Sequence, residues 1–445
     1  MALDIVVGVQ AGDEGKGLHV YRMAPEYHMV TRFNGGANAG HTNYYNGIKV
    51  ATHQVPSGIY YPRVLNVIGN GSYYDPVALF EDEIPELQQS AGLRVTPSNL
   101  AISETAHMVL PHHRFMDAIT EATAGKQGST KRGIRYVGAE KYGRDGVRCE
   151  DISEDPDGIL ERATAGWDAA ADKLYGARDD ILAGKSGKET WDQLIGQDFD
   201  IEFERWHAAA QATLPFLVET VGLVNDALDD GRDVLAEGAQ SIGLDIEHGE
   251  YPLGTSSHAT PAGALNGLGV SHKEVRTVYG IAKIFKSRVG GNGFPTMITD
   301  EARAAKIRGE RGDRSGEYGA STGRPRDIGW FDLNDVRLAK SLGVNSLILT
   351  KGDCTNLAGE TMNVADYYAL DGVAIKRTPS SAAKLARCLP HYVELPTWVV
   401  GSDARTPEDL PQAARDFVSF VEEQTDTKVG IMGVGTDIDQ IVTLR

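Results

Sequence analysis

A glycine-rich loop that carries both acidic and basic side chains lies near the start of the chain, at residues 7–17 (VGVQAGDEGKG). Its glycines allow tight turns that point backbone N–H groups inward, and Lys16 adds a positive charge, as in loops that hold phosphate. The loop is not a Walker A motif, since Gly17 stands where Ser or Thr would follow the lysine. Asp13 is unexpected there, because a carboxylate repels a polyphosphate. A plain strand-to-helix turn is the alternative, but it would not require this density of charge.

A second polar stretch, RFNGGANAGHT at residues 32–42, is rich in glycine and asparagine and poor in apolar side chains. Such a segment packs poorly but forms hydrogen bonds readily. His41, with Asn38 near it, is suited to contact an oxygen on which negative charge develops. A buried structural histidine is the alternative interpretation.

Two further loops carry groups suited to phosphate or heterocycle binding. The segment GSTKRGIR (128–135), followed by Arg144, combines the hydroxyl of Thr130 with several cations, which suits a phosphate monoester. Gln240 and Thr255 follow a predicted strand and carry uncharged hydrogen-bonding groups suited to a heterocycle edge or a phosphate. The alternatives are a solvated basic loop and a turn-rich connection.

The segment 308–332 (RGERGDRSGEYGASTGRPRDIGWFD) holds five arginines among many glycines. In a chain of net charge −18, this basic loop should attract an anionic substrate. Arg324 and Arg326 can each form a bidentate contact with a carboxylate or phosphate. The glycines predict a loop that closes over its ligand, and a mobile surface loop is the alternative.

A lysine and an aspartate directly follow the apolar run in LILTKGD (347–353). Lys351 can stack its aliphatic stem on a purine. Asp353 can accept hydrogen bonds from guanine N1–H and the 2-amino group, which adenine does not offer. The short pattern is common by chance, but its place after a strand favours a guanine nucleotide.

Short apolar runs predict the strands that position these loops. They lie at 3–9, 65–71, 232–240, 275–285, 344–353 and 428–435. Helical patterns between them cover 75–92, 212–230 and 406–425, the last with Thr406 as its N-cap. Alternation of strands and helices predicts an α/β protein around a mainly parallel, mixed sheet, with ligands at the carboxyl ends of the strands. With no evident linker, we expect one large domain over 1–445 with helical and loop insertions.

Composition restricts the class of function. The negative net charge argues against non-specific nucleic-acid binding. The sequence contains no apolar stretch of 18 residues and no signal-peptide pattern, so we expect a cytoplasmic protein without a membrane anchor. Cys149, Cys354 and Cys388 are far apart and show no metal-ligand spacing, which predicts reduced thiols.

Taken together and in this order, the motifs resemble those of the adenylosuccinate synthetase family, from Ile5 to Arg445. The most specific are GDEGKG, GGANAGHT, EGAQ followed by DIEHGEYP, STGRPRDIGWFD and TKGD. The resemblance implies a homodimeric C–N ligase with a single α/β domain. It implies that IMP and L-aspartate are joined with GTP and Mg²⁺, through a 6-phosphoryl intermediate, to give adenylosuccinate, GDP and phosphate.

The resemblance also assigns roles by position. It implies catalytic roles for Asp13, His41 and Lys16, and metal ligation by the Asp13 carboxylate and the Gly40 carbonyl. It implies IMP contacts at Asn38, Thr130, Gln240, Thr255 and Arg324, and at Arg144 from the neighbouring subunit. Aspartate would be held by Ser321, Thr322 and Arg326, and GTP by Gly12, Gly15, Lys16, Gly17, Thr42, Lys351, Asp353, Gly433 and Gly435. The acid in the phosphate loop is then a base for the N1 proton of IMP, and a bound metal offsets its repulsion.

Several positions depart from the family pattern, including Ala11, Leu18, Glu250, Gly254 and Gly433. They leave two alternatives open. One is a viral-type variant that joins aspartate to dGMP, with ATP or dATP as possible donors, although retention of Asp13 favours IMP. The other is a guanine-nucleotide-binding regulator, which would leave the arginine-rich loop and His41 unexplained.

Overall fold

The computed structural model describes residues 2–123, 129–184, 186–289, 293–319 and 323–445. In chain order, its strands are β1 (Ala2–Gly8), β2 (Met29–Arg32), β3 (His41–Tyr45), β4 (Ile48–Thr52), β5 (Leu65–Ile68), β6 (Tyr73–Tyr74), β7 (Leu100–Ser103), β8 (His107–Met108), β9 (Leu217–Val218), β10 (Asp233–Glu237), β11 (Val275–Lys283), β12 (Lys286–Arg288), β13 (Asp327–Gly329), β14 (Phe331–Asp332), β15 (Ser346–Thr350), β16 (Thr361–Leu370), β17 (Val373–Ile375), β18 (Cys388–Pro396), β19 (Lys428–Gly433) and β20 (Ile441–Thr443).

The α-helices in the same residues are α1 (Lys16–Met23), α2 (Ile84–Ala91), α3 (Pro111–Thr123), α4 (Ile134–Gly143), α5 (Asp151–Glu154), α6 (Pro156–Gly176), α7 (Arg178–Leu182), α8 (Gly187–Ile195), α9 (Phe199–Thr213), α10 (Thr220–Asp229), α11 (Pro261–Leu268), α12 (Glu301–Arg308), α13 (Leu333–Ser341), α14 (Ala382–Leu385) and α15 (Gln412–Thr425). A π-helical segment (Ala78–Glu83) leads directly into α2.

Ten strands form the central sheet, in the order β20-β19-β15-β11-β1-β10-β2-β5-β7-β9. Neighbouring strands are parallel except β19 and β20 at one edge. All seven residues of β1 are buried, as expected for a central strand that is covered on both faces. The predicted α/β class and mainly parallel sheet are confirmed.

Parallel pairing brings the carboxyl ends of β1, β10, β11 and β15 to one edge of the sheet. The phosphate-type loop follows β1, Gln240 follows β10, and Lys351 follows β15. Residues that are hundreds of positions apart in sequence therefore meet at this edge.

Two additions flank the sheet. A four-stranded sheet of β14, β16, β17 and β18 packs against α13 and α15. A helical insertion, α5 to α9, packs on α3 through an apolar cluster that includes Trp167. The largest apolar core surrounds the central strands and extends to the four-stranded sheet.

Two helix predictions were wrong in detail, and proline is involved in both. The pattern at 212–230 is divided into the end of α9, a 3₁₀ turn containing Pro215, the edge strand β9, and α10. Thr406 precedes a 3₁₀ turn, where its backbone N–H donates to Asp409 (2.9 Å), while Pro411 precedes α15. Proline lacks an N–H donor and disfavours helical geometry in the residue before it.

Among the described residues, no helix combines the length and apolar character required to cross a membrane. Cys149, Cys354 and Cys388 are buried and free.

Candidate active site

A cleft of about 1190 Å³ opens at the carboxyl edge of the central sheet. It is lined by the predicted residues Gly12, Asp13, Gly15, Lys16, Gly17, Asn38, Gly40, His41, Thr42, Thr130, Gln240, Thr255, Arg326, Lys351, Asp353, Gly433 and Gly435. Arg144 and Arg324 are exposed and do not line it. Ser321 and Thr322 lie outside the described residues. Most of the predicted site is thus gathered in one cavity.

The loop after β1 turns sharply before α1. Gly12, Asp13 and Gly15 all have left-handed backbones, with φ of 101°, 59° and 96°. Asp is among the non-glycine residues that tolerate this region. The turn leads into the amino terminus of α1, whose free N–H groups and dipole favour an anion.

The two acids of this loop have different environments. Glu14 is buried and accepts hydrogen bonds from Gly12 N (2.8 Å) and Ser241 Oγ (2.6 Å), and it pairs with Lys16 Nζ (2.8 Å). Burial alone would raise the pKa of Glu14, but Lys16 and these hydrogen bonds lower it below its usual value. Glu14 therefore fixes the shape of the loop, whereas the side chain of Asp13 is partly exposed at the cleft.

Close packing against His41 accounts for the glycine after Lys16. A Cβ atom at Gly17 would lie 2.6 Å from the Cβ of His41, closer than real contacts allow. Gly17 occupies the position that holds Ser or Thr in a Walker A motif. Because it has no side chain, the start of β3 at His41 can lie close to the start of α1. His41 is thereby brought next to the phosphate-type loop.

A buried carboxylate orients His41. Its Nδ1 lies 2.5 Å from Glu237 Oε1, and Glu237 also accepts hydrogen bonds from Ser57 N and Ser57 Oγ (both 2.7 Å). Arg32 Nη1 is 3.4 Å from His41 Nε2. With Nδ1 donating to the carboxylate, Nε2 is the atom of the ring left to meet a ligand or Arg32.

The protonation states of this pair follow from burial and charge. Burial, together with Arg32, lowers the pKa of His41 to about 4, so the ring is neutral at pH 7. Burial would raise the pKa of Glu237, but Arg32 and His41 reverse this and lower it to about 2. A negative group arriving near Nε2 would offset the charge of Arg32 and favour the protonated ring.

Asp13 faces the arginine-rich loop across the cleft. Its carboxylate is 38% exposed, and its Oδ2 lies 2.6 Å from Arg326 Nη2. Arg326 also donates through Nη1 to Glu317, a buried carboxylate in the same loop. This guanidinium joins the loop after β1 to the loop before β13.

Glu317 is the centre of what we term the cleft cluster, which comprises Asp13, Lys283, Glu317, Arg326 and Lys351. Its Oε2 lies 2.8 Å from Lys283 Nζ, and its Oε1 lies 2.7 Å from Lys351 Nζ. Burial, only partly offset by Glu317, lowers the pKa of Lys283 to about 8. Burial would raise the pKa of Glu317, but these cations hold it well below its usual value.

The loop after β15 approaches the carboxyl end of β19 closely. A Cβ atom at Gly352 would lie 2.9 Å from the carbonyl oxygen of Gly433. The indole of Trp398 donates to Gly352 O (2.7 Å) and fixes the turn that carries Lys351 and Asp353. Lys351, Asp353 and Gly433 therefore line one end of the cleft together.

Uncharged groups line another part of the cleft. Gln240 has a left-handed backbone (φ 56°), and its Oε1 is buried without a partner among the described atoms. Ser129 Oγ and Gly133 N donate to Asp117 (2.7 and 3.0 Å), which shapes the loop that carries Thr130. An unpaired buried acceptor at a cleft is suited to a ligand N–H or O–H group.

Three residues of the site, Glu237, Lys283 and Glu317, were not predicted from the sequence. The first two end buried strands, and a charged residue after an apolar run at the carboxyl edge of a sheet was the signal that could have identified them. Glu317 had no such signal, because it is one acid among many charged residues in a glycine-rich loop.

A family model described as "Adenylosuccinate synthetase" matches residues 5–442. The chain belongs to the adenylosuccinate synthetase family. The adenylosuccinate synthetase of Clostridium perfringens is 37% identical over 453 residues, covering 100% of this chain and 99% of that protein. The Salinibacter ruber protein is 38% identical over 456 residues, covering 100% and 98%. Membership of this family makes the chain a ligase that forms a C–N bond in purine biosynthesis.

Solved structures agree with this fold. The fully ligated adenylosuccinate synthetase of Plasmodium falciparum matches with a TM-score of 0.83 and 26% identity, covering 100% of both chains. The succinoaminodeoxyadenylate synthetase of cyanophage S-2L, bound to dGMP and dATP, matches with a TM-score of 0.57 and 18% identity, covering 99% of this chain and 95% of that one. The latter likeness concerns the fold alone.

Proposed function

We propose that this enzyme joins L-aspartate to IMP with the energy of GTP, giving adenylosuccinate, GDP and phosphate. One observation carries the proposal: Asp13, whose side chain is partly exposed, lines the same cavity as Lys16, His41, Lys351 and Asp353. A base, a phosphate-binding loop and a guanine-type pair are therefore available to one set of ligands. Family membership makes this ligase chemistry the expected one.

Asp13 would remove the N1 proton of IMP. Loss of that proton transfers negative charge to the 6-oxygen, which can then attack the γ-phosphorus of GTP. The partly exposed position of Asp13 at the cleft supports this role. A positioned base contributes roughly 10²–10⁴-fold to rate. Arg326 is paired with Asp13, so the residue that would hold aspartate also contacts the proposed base.

His41, Lys16 and the N–H groups of the loop at 12–17 would stabilise the phosphoryl group in flight. The hydrogen bond to Glu237 holds the His41 ring in position and leaves its Nε2 atom for the phosphoryl oxygens. Aspartate's amine would then attack C6 of the 6-phosphoryl intermediate, and phosphate would leave.

The remaining contacts follow the family pattern. Asn38, Thr130, Gln240, Thr255 and Arg324 would hold IMP. The unpartnered Oε1 of Gln240 supports its own assignment, whereas Arg324 is exposed and does not line the cleft. Ser321, Thr322 and Arg326 would hold aspartate. GTP would contact Gly12, Gly15, Gly17, Thr42, Lys351, Asp353, Gly433 and Gly435 in addition to Lys16.

The active unit is proposed to be a cytoplasmic homodimer in which Arg144 reaches the IMP of the neighbouring subunit. Arg144 is exposed just after α4 and does not line the cleft of its own chain, which is compatible with a role at a neighbouring subunit.

The oxygen donors of the cleft fit a magnesium ion. The Asp13 carboxylate is a hard ligand that is partly exposed, and Gly40 lines the same cleft. Mg²⁺ prefers oxygen ligands and is usually bound by one or two carboxylates together with substrate phosphates. When bound, it would neutralise phosphate charge beside the base.

A matrix of substrates tests the proposal. IMP, GMP and dGMP are each combined with GTP and with ATP, and phosphate release and nucleotide products are measured with and without aspartate. We expect adenylosuccinate, GDP and phosphate in equal amounts with IMP, GTP and aspartate together. Activity with dGMP alone would instead identify the viral-type reaction, and GTP hydrolysis without purine monophosphate or aspartate would identify a regulator.

A further inference from the structure

Glu317 has more charged partners than any role in loop packing requires. It is 3% exposed, and its carboxylate is within ion-pair distance of Lys283, Lys351 and Arg326. Ser287 Oγ also donates to its Oε2 (2.8 Å). A buried carboxylate is stable when its oxygens are fully paired in this way.

These partners come from separate parts of the chain. Lys283 ends β11, Lys351 follows β15, and Arg326 and Glu317 lie on the loop before β13. The Nζ of Lys351 also donates to Ser315 O (2.6 Å), so the same loop holds that lysine at two points. Glu317 therefore connects two strand ends with the loop that covers them.

The charges of the cleft cluster are unequal. Lys283, Lys351 and Arg326 supply three cations, whereas Glu317 and Asp13 supply two carboxylates. Removing the charge of Glu317 would leave three neighbouring cations with Asp13 as their remaining partner in the cluster. Repulsion would then drive the Lys351 ammonium and the Arg326 guanidinium apart.

We propose that Glu317 is a positioning residue that holds Lys351 for the base of the nucleoside triphosphate and Arg326 for the carboxylates of aspartate. The inference rests on the proposed function, because the two substrates are the ones assigned there. Glu317 itself touches neither substrate and acts through the two cations. One side chain thus couples two of the three substrate sites.

The variant Glu317→Gln tests this inference, since it keeps the size and the contact with Ser287 but removes the charge. We expect the KM values for GTP and aspartate each to rise about 10- to 100-fold, as for loss of a hydrogen bond to a buried charge. The KM for IMP should change less than about twofold, because the described side-chain contacts of Glu317 are with Lys283, Ser287, Arg326 and Lys351, none of them assigned to IMP. Equal increases for all three substrates, or none, would overturn the inference.

A matched control distinguishes positioning from general destabilisation. Asp335→Asn removes another buried carboxylate that pairs with a buried lysine, Lys286 (2.7 Å), outside the cleft. It should lower the thermal midpoint but leave every KM unchanged. If Asp335→Asn changed the KM for GTP and aspartate as Glu317→Gln does, the effect would be one of stability and the inference would fail.

Two further measurements make the test independent of folding and of turnover. Glu317→Asp keeps the charge, so its KM values for GTP and aspartate should rise less than those of Glu317→Gln. A packing role would give no such difference. If Glu317→Gln does not melt cooperatively, Glu317→Asp carries the test. Competition of GDP with a fluorescent guanine nucleotide, without other substrates, should show weaker binding by Glu317→Gln. Unchanged GDP binding would overturn the inference, while absence of wild-type turnover would overturn only the proposed function.

Discussion

Two buried lysines three residues apart, Lys283 and Lys286, belong to clusters with opposite excess charge. Lys283 lies in the cleft cluster, where cations outnumber carboxylates. Lys286 lies in what we term the interior cluster: Lys286, Asp332, Asp335, Tyr368 and Thr378. There, Asp335 is 2.7 Å and Asp332 3.9 Å from the ammonium group, so carboxylates outnumber cations.

The pKa values of the two lysines differ accordingly. Burial lowers the pKa of Lys283 to about 8; Glu317 opposes this shift, while Arg326 and Lys351 add to it. Burial would also lower the pKa of Lys286, but Asp335 and Asp332 more than offset this and raise it. The interior cluster satisfies its charges within the protein. The cleft cluster retains positive charge that an anionic substrate can neutralise. We therefore interpret the cleft cluster as part of a binding site and the interior cluster as a structural network.

The largest expected effect is on the chemistry of the cleft. Asp13→Ala should abolish synthesis, lowering kcat by about 10²–10⁴-fold or more, because the proposed base is lost. Guanine-nucleotide binding should be largely retained, since Lys351 and Asp353 remain. Steady-state turnover and nucleotide competition measure the two properties. Turnover near that of the wild type would contradict the assigned role of Asp13.

Lys286→Met should have the largest effect on stability. It leaves Asp332 and Asp335 buried without their cation, which typically costs about 3–5 kcal/mol of the free energy of unfolding. Urea unfolding measures this loss. The kcat of the folded variant should remain near the wild-type value, because Lys286 does not line the cleft; a parallel loss of kcat would refute the separation of the two clusters.

A pH-dependent effect is expected at Asp332. Burial and Asp335 raise the pKa of Asp332 to about 6. The contribution of the protonated carboxyl group to the free energy of unfolding is therefore full below pH 4 and is lost as the pH rises through 6. Asp332→Asn removes this titration and should gain stability relative to wild type between pH 4 and 7, by at most about 3 kcal/mol. Urea unfolding at several pH values measures the difference. A difference that stays constant with pH would contradict the prediction.

The smallest expected effect is that of Lys283→Met. Glu317 keeps Lys351 and Arg326 as partners, so less stability should be lost than in Lys286→Met. The KM values for GTP and aspartate should rise about 3- to 10-fold, because the cleft loses one positive charge. Initial rates at low and high salt measure this. A stability loss as large as that of Lys286→Met would erase the contrast between the clusters.

Much of the fold could be predicted from local sequence. Apolar runs such as residues 3–9 and 275–285 identified central strands, since strands covered on both faces need apolar side chains throughout. The helix predicted at 212–230 was wrong because the strand β9 at the sheet edge and Pro215 divide it. Two residues of edge strand carry too little pattern to be recognised alone.

The sequence by itself determined the chemical groups of the site and the strand ends where they lie, because glycine-rich loops after apolar runs are local features. Only the tertiary structure decided which groups became partners. His41 and Glu237 are 196 residues apart in sequence. Lys351 and Glu317 are tens of residues apart and lie on different loops. Such pairs depend on parallel strand order and on burial, which lowers the dielectric and makes each unpaired charge costly. A short stretch of sequence specifies neither the order of the strands in the sheet nor the burial of a side chain.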